Sequence, residues 1–115
     1  VMGTRGVVAA AHPLAVTAGL RILQVGGNAV DAAVAALAAL NVVEPYMSGI
    51  GGCGYLVVRP AGERHARVLD YMGTSAAATD AAALPSQDAL FHSPASMLVP
   101  GAVGGWLTAL ETHGR

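Results

Sequence analysis

Residues 49–54, GIGGCG, are the first place where residue types and spacing suggest a chemical role. They match the pattern G-x-G-x-x-G, whose glycines let a dinucleotide pyrophosphate approach the backbone at the start of a helix. That role needs a strand before the glycines and a helix after them. Here an alanine-rich helical pattern precedes them and an extended run, residues 55–59, follows. We therefore predict a tight turn with close backbone contacts before a strand, and keep nucleotide binding as the minor alternative.

The other reactive side chains match no strong catalytic or metal-binding pattern. Cys53 is the only cysteine, so the chain can form no internal disulfide, and its position in a glycine turn favours a structural role over a nucleophile. Asp31 lies three residues after Asn28, which favours helix capping over catalysis. The histidines are far apart and match no metal spacing. They are His12, His65, His92 and His113.

Composition excludes several classes of function. The 115 residues allow one domain at most, and the net charge of −1 with six scattered Lys and Arg residues gives no basic patch for nucleic acid. The chain is 54% hydrophobic and only 11% charged, against an average charged share of about 25% in globular domains. Such a surface is too apolar for a small monomer. We therefore expect further chain or a partner to cover much of it.

The sequence shows neither a membrane span nor a signal peptide. The most apolar run, residues 29–43, carries Asp31 and Asn41 and is shorter than the roughly 20 residues that cross a bilayer. Residues 1–6 contain one arginine and lack an apolar stretch of signal-peptide length. The compartment is left open, with the cytoplasm as the default and export to the periplasm or beyond as the alternative.

A helical hairpin is predicted before the glycine turn. Residues 7–11 form a short apolar run that predicts a strand, and proline at the first turn favours a helix over 13–25. The glycine pair 26–27 ends that helix, and Asn28 caps a second one that ends at residue 43. The second helix is apolar nearly all round, which predicts burial on most sides and close approach by a neighbour. The predicted apolar face of the first helix consists of Leu14, Ala18, Ile22 and Val25.

An antiparallel β-hairpin is predicted after the glycine turn. Residues 55–59 and 66–71 have strand composition, and Pro-Ala-Gly-Glu at 60–63 is typical of a turn. The hairpin would therefore build outward from the glycine turn.

The last third of the chain predicts less regular structure. We expect a short helix capped by Thr79, a loop over 85–94 and a final helix over 102–112 that Gly114 ends. The predicted apolar face of the final helix consists of Val103, Trp106, Leu107 and Leu110. About three helices and three strands of this apolarity do not close a sandwich or a wound sheet. We therefore expect the chain to be the leading part of a larger domain.

An ordered set of short motifs runs through nearly the whole chain. The motifs are GVVA at 6–9, HPLA at 12–15, GGNAVDAA at 26–33, VEP at 43–45, SGIGGCGY at 48–55, LD at 69–70 and PGAVGG at 100–105. Each is weak alone, but their order and spacing together are specific. In this set the chain resembles the N-terminal part of the large subunit of the γ-glutamyltransferase family, which includes the γ-glutamyltranspeptidases and glutathione hydrolases.

The resemblance implies an α+β fold, the N-terminal part of the αββα sandwich of an N-terminal-nucleophile hydrolase. Residues 1–115 would be the leading segment of that single domain, which is incomplete in this chain. The family's precursor cuts itself into a large and a small subunit, and the new N-terminal threonine attacks a substrate amide with its own α-amine as base. No cofactor is implied. The implied partners are an amide substrate, the rest of the large subunit and the small subunit.

The resemblance also implies where functional residues lie. The nucleophile and the oxyanion glycines of the family lie beyond Arg115, so no catalytic residue is expected in this chain. One substrate-binding position is expected inside it. After the pair Leu69-Asp70, the γ-glutamyl enzymes carry one aromatic or small residue and then an arginine that grips the α-carboxylate of the glutamyl group. Met72 occupies the position of that arginine.

The exchange of arginine for methionine bears on the substrate. A guanidinium clamps a carboxylate with two charge-assisted hydrogen bonds, whereas a thioether offers neither charge nor donors. Three arginines could replace it in space: Arg59, Arg64 and Arg67. The main hypothesis is a hydrolase or acyltransferase for γ-glutamyl or related amides. The alternatives are a relative acting on another amide, such as oxamate or an acyl side chain, which suits Met72 better, and a non-catalytic structural or interaction fragment.

Overall fold

The structure is a computed structural model that describes residues 3, 5–83 and 86–115. Its fold class is α+β, as predicted, with two long helices, two small antiparallel sheets and a third long helix. The helices are α1 (Pro13–Gln24), α2 (Ala29–Val43), α3 (Gln87–Phe91) and α4 (Ala102–His113), and the strands are β1 (Tyr55–Val58), β2 (Arg67–Asp70), β3 (Thr74–Ser75) and β4 (Leu98–Val99). Two 3₁₀ turns, Ala81–Ala83 and Pro94–Ser96, flank α3.

The predicted hairpin of α1 and α2 is confirmed, and its ends form where the capping residues lie. His12 is extended before α1 and its side chain accepts a backbone N–H of the first turn. Gly26, at φ +99°, supplies the left-handed residue between the helices. Asn28 Oδ1 accepts the N–H of Asp31 at 3.1 Å, and Asp31 Oδ2 accepts the N–H of Asn28 at 2.8 Å. This capping box confirms the capping role of Asp31.

The two helices pack through small residues, which corrects the predicted face of α1. The buried residues of α1 are Ala15 and Gly19, whereas Leu14 and Val25 are 59% and 83% exposed. A Cβ at Gly19 would lie 3.0 Å from the carbonyl oxygen of Ala32 on α2. Because the backbones approach this closely, the contact accepts only small side chains and leaves the larger ones at its edge or in solvent.

The expected burial of α2 is only partly present in this chain. Val30, Ala32 and Ala36 are buried, and most of the other residues of α2 are half-buried. Val42 is exposed. Residues 7–11 do not form the predicted strand and belong to neither described sheet, since no described strand lies beside them to accept their backbone hydrogen bonds.

The predicted β-hairpin is confirmed in place and direction. β1 and β2 pair antiparallel, from Tyr55 opposite Asp70 to Val58 opposite Arg67. On one face Leu56 and Leu69 are half-buried. The other face is exposed and apolar, and it consists of Tyr55, Val57 and Val68. One face of this small sheet is therefore uncovered within the described chain.

The segment between β2 and α4 contains more structure than the sequence predicted. The predicted loop over 85–94, of which residue 85 lies outside the described residues, contains α3, whose N-cap Ser86 accepts the N–H of Ala89 at 3.1 Å. The helix expected after Thr79 is a 3₁₀ turn capped instead by Asp80, which accepts the N–H of Ala82 at 2.9 Å. β3 and β4, two residues each, pair antiparallel.

α4 ends at Gly114 as predicted but buries a different face. Its buried residues are Ala102, Gly105 and Ala109, while Val103 and Leu107 of the predicted face are exposed. The reason is the same as in α1, because a helix that approaches other backbone closely buries its smallest residues.

The described chain does not close a core of its own. Its buried apolar residues are small except for one valine: Ala15, Val30, Ala32, Ala36, Ala102 and Ala109. The radius of gyration is 17.1 Å, whereas a compact domain of this length has about 13 Å. No helix among the described residues is long and apolar enough to cross a membrane. Most of the larger apolar side chains are therefore exposed or half-buried within the described residues.

Candidate functional site

Three segments of the chain meet at a site that we call the glycine crossing, made of residues 52–54, 71–73 and 98–105. The Gly52 carbonyl oxygen accepts the N–H groups of Gly101 and Ala102 at 3.1 and 3.0 Å, which joins the glycine turn to the start of α4. A Cβ at Gly73 would lie 2.6 Å from the carbonyl oxygen of Val99. The crossing therefore depends on glycine, because backbone meets backbone at this range.

Tyr71 lies at the centre of the crossing, between glycines of the two other segments. Its backbone N–H donates to the Gly54 carbonyl oxygen at 3.0 Å, which extends the β1–β2 ladder by one pair. A Cβ at Gly54 would lie 3.1 Å from Tyr71 Cε2, and a Cβ at Gly105 would overlap the ring, 2.6 Å from Cδ1. A Cβ at Gly101 would clash with the Tyr71 carbonyl oxygen. We call Gly54, Gly101 and Gly105 the glycine cradle of Tyr71.

Met72, the predicted substrate-binding residue, lies at the edge of the crossing. Met72 is 43% exposed. Its N–H donates to Asp70 Oδ1 at 2.9 Å, so the carboxylate that ends β2 is engaged with the backbone. Met72 thus follows a held tyrosine and presents a thioether that remains accessible within the described chain.

The three candidate arginines lie far from Met72. Arg67 donates to Glu63 through Nη2 at 2.7 Å and Nε at 3.2 Å, and Arg59 Nη1 donates to the Glu63 carbonyl oxygen at 3.4 Å. Arg64 is in the same turn. Arg67 precedes Met72 by five residues, about 16 Å of strand. These guanidinium groups therefore occupy the turn end of the β-hairpin, and Met72 follows its open end.

The glycine fingerprint has the context that the sequence predicted, with α2 before it and β1 after it. A strand directly after Gly54 leaves no helix N-terminus at the place where a pyrophosphate would bind. Gly49 and Gly51 face open space, while Gly54 touches Tyr71. Cys53 is an exposed free thiol. Residues 3, 5–83 and 86–115 include no cluster of His, Cys, Asp and Glu that could hold a metal ion.

Sequence reasoning missed the cradle, although one signal pointed to it. Glycine is unfavourable inside a helix, and an interior glycine often marks close packing. Gly104 and Gly105 are adjacent in α4, yet only Gly105 is buried, and a Cβ at Gly104 would meet open space. The glycine pair therefore predicts that another segment packs closely against α4. It does not show which of the two glycines makes the contact, or that the neighbour is Tyr71.

Comparisons with known proteins agree on one family. The profile of the family described as gamma-glutamyltranspeptidase matches residues 15–115. Over 97% of its length the chain is 40% identical to the Acylase ACY 1 proenzyme of a Pseudomonas species, and over 96% it is 40% identical to the oxamate amidohydrolase proenzyme of Klebsiella pneumoniae. Over 60% of its length it is 51% identical to the glutathione hydrolase proenzyme of Bacillus subtilis.

The chain is a small part of each of these relatives. It spans 22% of the acylase, 21% of the oxamate amidohydrolase and 12% of the glutathione hydrolase. The fold agrees with a solved structure as well. The crystal structure of Helicobacter pylori gamma-glutamyltranspeptidase superimposes with a TM-score of 0.89 at 30% identity, over 99% of this chain and 34% of that one. By profile, sequence and fold, the chain belongs to the gamma-glutamyltranspeptidase family.

Proposed function

We propose that the protein containing this chain is a hydrolase or acyltransferase that cleaves γ-glutamyl or related amides through an N-terminal threonine that lies beyond Arg115. The observation that carries the proposal is the family match over residues 15–115. Its similar relatives are named as an acylase, an oxamate amidohydrolase and a glutathione hydrolase, each a proenzyme. All three names describe cleavage of an amide bond or of a peptide that contains one.

In the proposed reaction the threonine Oγ attacks the amide carbonyl carbon, and the α-amine of the same residue accepts the hydroxyl proton. The C–N bond breaks, the amine leaves with that proton, and an ester to the threonine remains. Water, or an amino-acid or peptide acceptor, then attacks the ester and releases the acyl group. The remaining large subunit and the small subunit would be the partners of this chain.

Two of the described threonines in helices are bonded locally, which supports a nucleophile elsewhere. Thr17 Oγ1 donates to the Pro13 carbonyl oxygen at 3.0 Å, and Thr108 Oγ1 donates to the Gly104 carbonyl oxygen at 2.9 Å. Both hydroxyl groups are thus bonded to the preceding turn of their own helix, and neither is an N-terminal residue with a free α-amine. In the proposal this chain contributes scaffold and one substrate contact, Met72.

A second candidate, a relative that prefers a non-glutamyl acyl amide, is favoured by the surroundings of Met72. The position lacks a guanidinium of its own, and Arg59 and Arg67 are engaged with Glu63 at the other end of the hairpin. An α-carboxylate placed at this thioether would lose water without gaining a charged partner from these residues. An uncharged acyl group would instead gain an apolar contact.

The experiment uses the full-length precursor and two anilide substrates, one γ-glutamyl and one with an uncharged acyl group. The second candidate predicts faster cleavage of the uncharged substrate, and Met72→Arg should then shift kcat/KM toward the γ-glutamyl anilide by about tenfold or more. Met47→Arg, the same exchange at a residue that is 75% exposed in another loop, is the matched control.

Two outcomes would decide against these proposals. Strong γ-glutamyl hydrolysis that does not change with Met72→Arg would refute the non-glutamyl candidate and leave the γ-glutamyl enzyme. A precursor that does not cut itself into two subunits and cleaves neither anilide would refute the amide-cleaving function. That result would favour a structural or interaction role.

A further inference from the structure

We propose that Tyr71 is a positioning residue for the substrate, and that its glycine cradle sets the direction in which Met72 meets the acyl group. The inference rests on the proposed function only in assigning substrate contact to position 72. The geometric part, that the cradle fixes position 72, stands on the described contacts alone.

The first step is the fit of Tyr71 into the cradle. The ring lies against the backbone of Gly105 inside α4, where no side chain can be added without overlap, and against Gly54 before β1. These two glycines belong to segments that are otherwise joined to each other by the Gly52 hydrogen bonds. The ring therefore occupies a slot with walls on two segments, and such a slot restricts the torsion angles of the tyrosine.

The second step is the control of the backbone around Met72. On the preceding side, the Tyr71 N–H is bonded to Gly54 and its carbonyl oxygen lies against Gly101. On the following side, Gly73 lies against the Val99 carbonyl oxygen, and the β3–β4 ladder begins at the next residue. The backbone of Met72 is thus held from both sides, while the residue itself is partly exposed.

The third step links the fit of Tyr71 in its cradle to the direction of the Met72 side chain. Met72 is adjacent to the tyrosine, so a group that forces the Tyr71 backbone out of the cradle would also shift the Met72 Cα and redirect the thioether. A misplaced contact to the acyl group contributes less to substrate binding. When the ground state and the transition state lose that contact equally, KM rises and kcat stays unchanged. A loosened cradle should therefore weaken acyl binding, seen as a higher KM, and leave kcat nearly unchanged.

The test compares Gly105→Ala with Gly104→Ala in the full-length protein. Both changes add one methyl group to the same helix, but only the methyl at residue 105 meets the Tyr71 ring. We expect Gly105→Ala to raise KM for the preferred anilide about fivefold or more, with kcat within about twofold of the parent, and Gly104→Ala to leave both unchanged. Equal KM values for the two variants would overturn the proposal.

A second pair of variants covers the case in which Gly105→Ala fails to fold. Tyr71→Phe keeps the ring in the cradle, and Tyr71→Leu empties part of it. The proposal expects parent-like KM for the phenylalanine variant and a raised KM for the leucine variant. If Tyr71→Phe raises KM as much as Tyr71→Leu does, the ring in the cradle does not position the substrate. If Tyr71→Leu lowers kcat and thermal stability without changing KM, the role of Tyr71 is structural only.

A spectroscopic measurement separates the positioning role from the proposed function. A nitroxide is attached to Met72→Cys in a cysteine-free background that includes Cys53→Ser, and its mobility is recorded by electron paramagnetic resonance. We expect Gly105→Ala to change the mobility at position 72 and Gly104→Ala to leave it as in the parent. If the protein has no amide-cleaving activity but shows this difference in mobility, the proposed function is refuted and the positioning role of the cradle stands. Identical spectra would refute the cradle whatever the activity.

Discussion

Asn28 and His113 are 85 positions apart in the sequence, and they join the start of α2 to the end of α4. The Asn28 Nδ2 donates to the His113 carbonyl oxygen at 2.6 Å, while Oδ1 of the same amide accepts N–H groups at the start of α2. One side chain thus caps the N-terminus of α2 and the C-terminus of α4. Asp31 adds to this joint, since the Arg115 N–H lies 3.2 Å from both of its carboxylate oxygens.

The joint predicts that Asn28 cannot be replaced by another good N-cap without loss. Asn28→Asp keeps an oxygen for the N-terminus of α2 but has no donor for His113, so we expect the free energy of unfolding to fall by about 1 kcal/mol. Asn28→Ala loses both functions and should lower it by about 2 kcal/mol. Urea unfolding of the full-length protein measures both values. Equal stability of the aspartate variant and the parent would contradict the joint.

The glycines of the fingerprint are predicted to differ in their tolerance of alanine. A Cβ at Gly49 or Gly51 would meet nothing within 4 Å, and neither has a positive φ. A Cβ at Gly54 would lie 3.1–3.3 Å from the Tyr71 ring. We therefore expect Gly49→Ala and Gly51→Ala to keep the parent's stability within about 0.5 kcal/mol, and Gly54→Ala to lose about 1 kcal/mol or more.

Thermal unfolding of the three single variants would provide the measurement. A nucleotide-binding turn makes the opposite prediction, since all three glycines of its pattern serve the ligand or the packing around it. A loss at Gly51 as large as that at Gly54 would therefore count against the assigned roles.

Residues 1–115 on their own are predicted to associate rather than remain monomeric. The exposed hairpin face includes Val57 opposite Val68, and α4 exposes Val103 and Leu107. Apolar surfaces of this kind bind a partner or aggregate when uncovered. Light scattering and binding of a hydrophobic dye to the isolated chain would show this, and Val57→Thr with Val68→Thr should reduce both signals. A soluble, cooperatively folded monomer would instead favour an independent structural or interaction module.

Local signals predicted those parts of the fold that depend on neighbouring residues. The Asn28–Asp31 capping box, the glycine between α1 and α2, and the turn of the β-hairpin were all visible as short motifs and are present. Each is stabilised by contacts within a few residues, which is why sequence spacing was sufficient.

The faces of α1 and α4 could not be predicted in the same way. Hydrophobic periodicity favours large residues such as Leu14 and Leu107, but the described contacts bury Ala15, Gly19 and Gly105. Close approach of two backbones depends on the partner, and a single helix sequence does not reveal the partner. The large residues are left for surfaces that this chain does not itself cover.

The assignment of Met72 as a substrate contact stays a prediction, and the sequence did not reveal the contacts that surround this residue. Met72 was placed by motif order, and the structure finds it accessible beside the glycine crossing. The cradle depends on contacts between Tyr71 and Gly105, 34 residues apart, and on the two-residue ladder of β3 and β4. Contacts of that separation leave no periodic trace in the sequence.

The two ends of α4 also set an order of assembly during synthesis. The helical hairpin of α1 and α2 and the hairpin of β1 and β2 are each built from contiguous residues, and α4 follows both of them in the sequence. At about 5–20 residues per second, several seconds pass between synthesis of β2 and synthesis of the last turn of α4. Until α4 is complete, Asn28 at the start of α2 lacks its His113 partner, and the Gly52 carbonyl before β1 lacks its partners at the start of α4. α4 is therefore the element whose two ends link the helical hairpin to the β-hairpin.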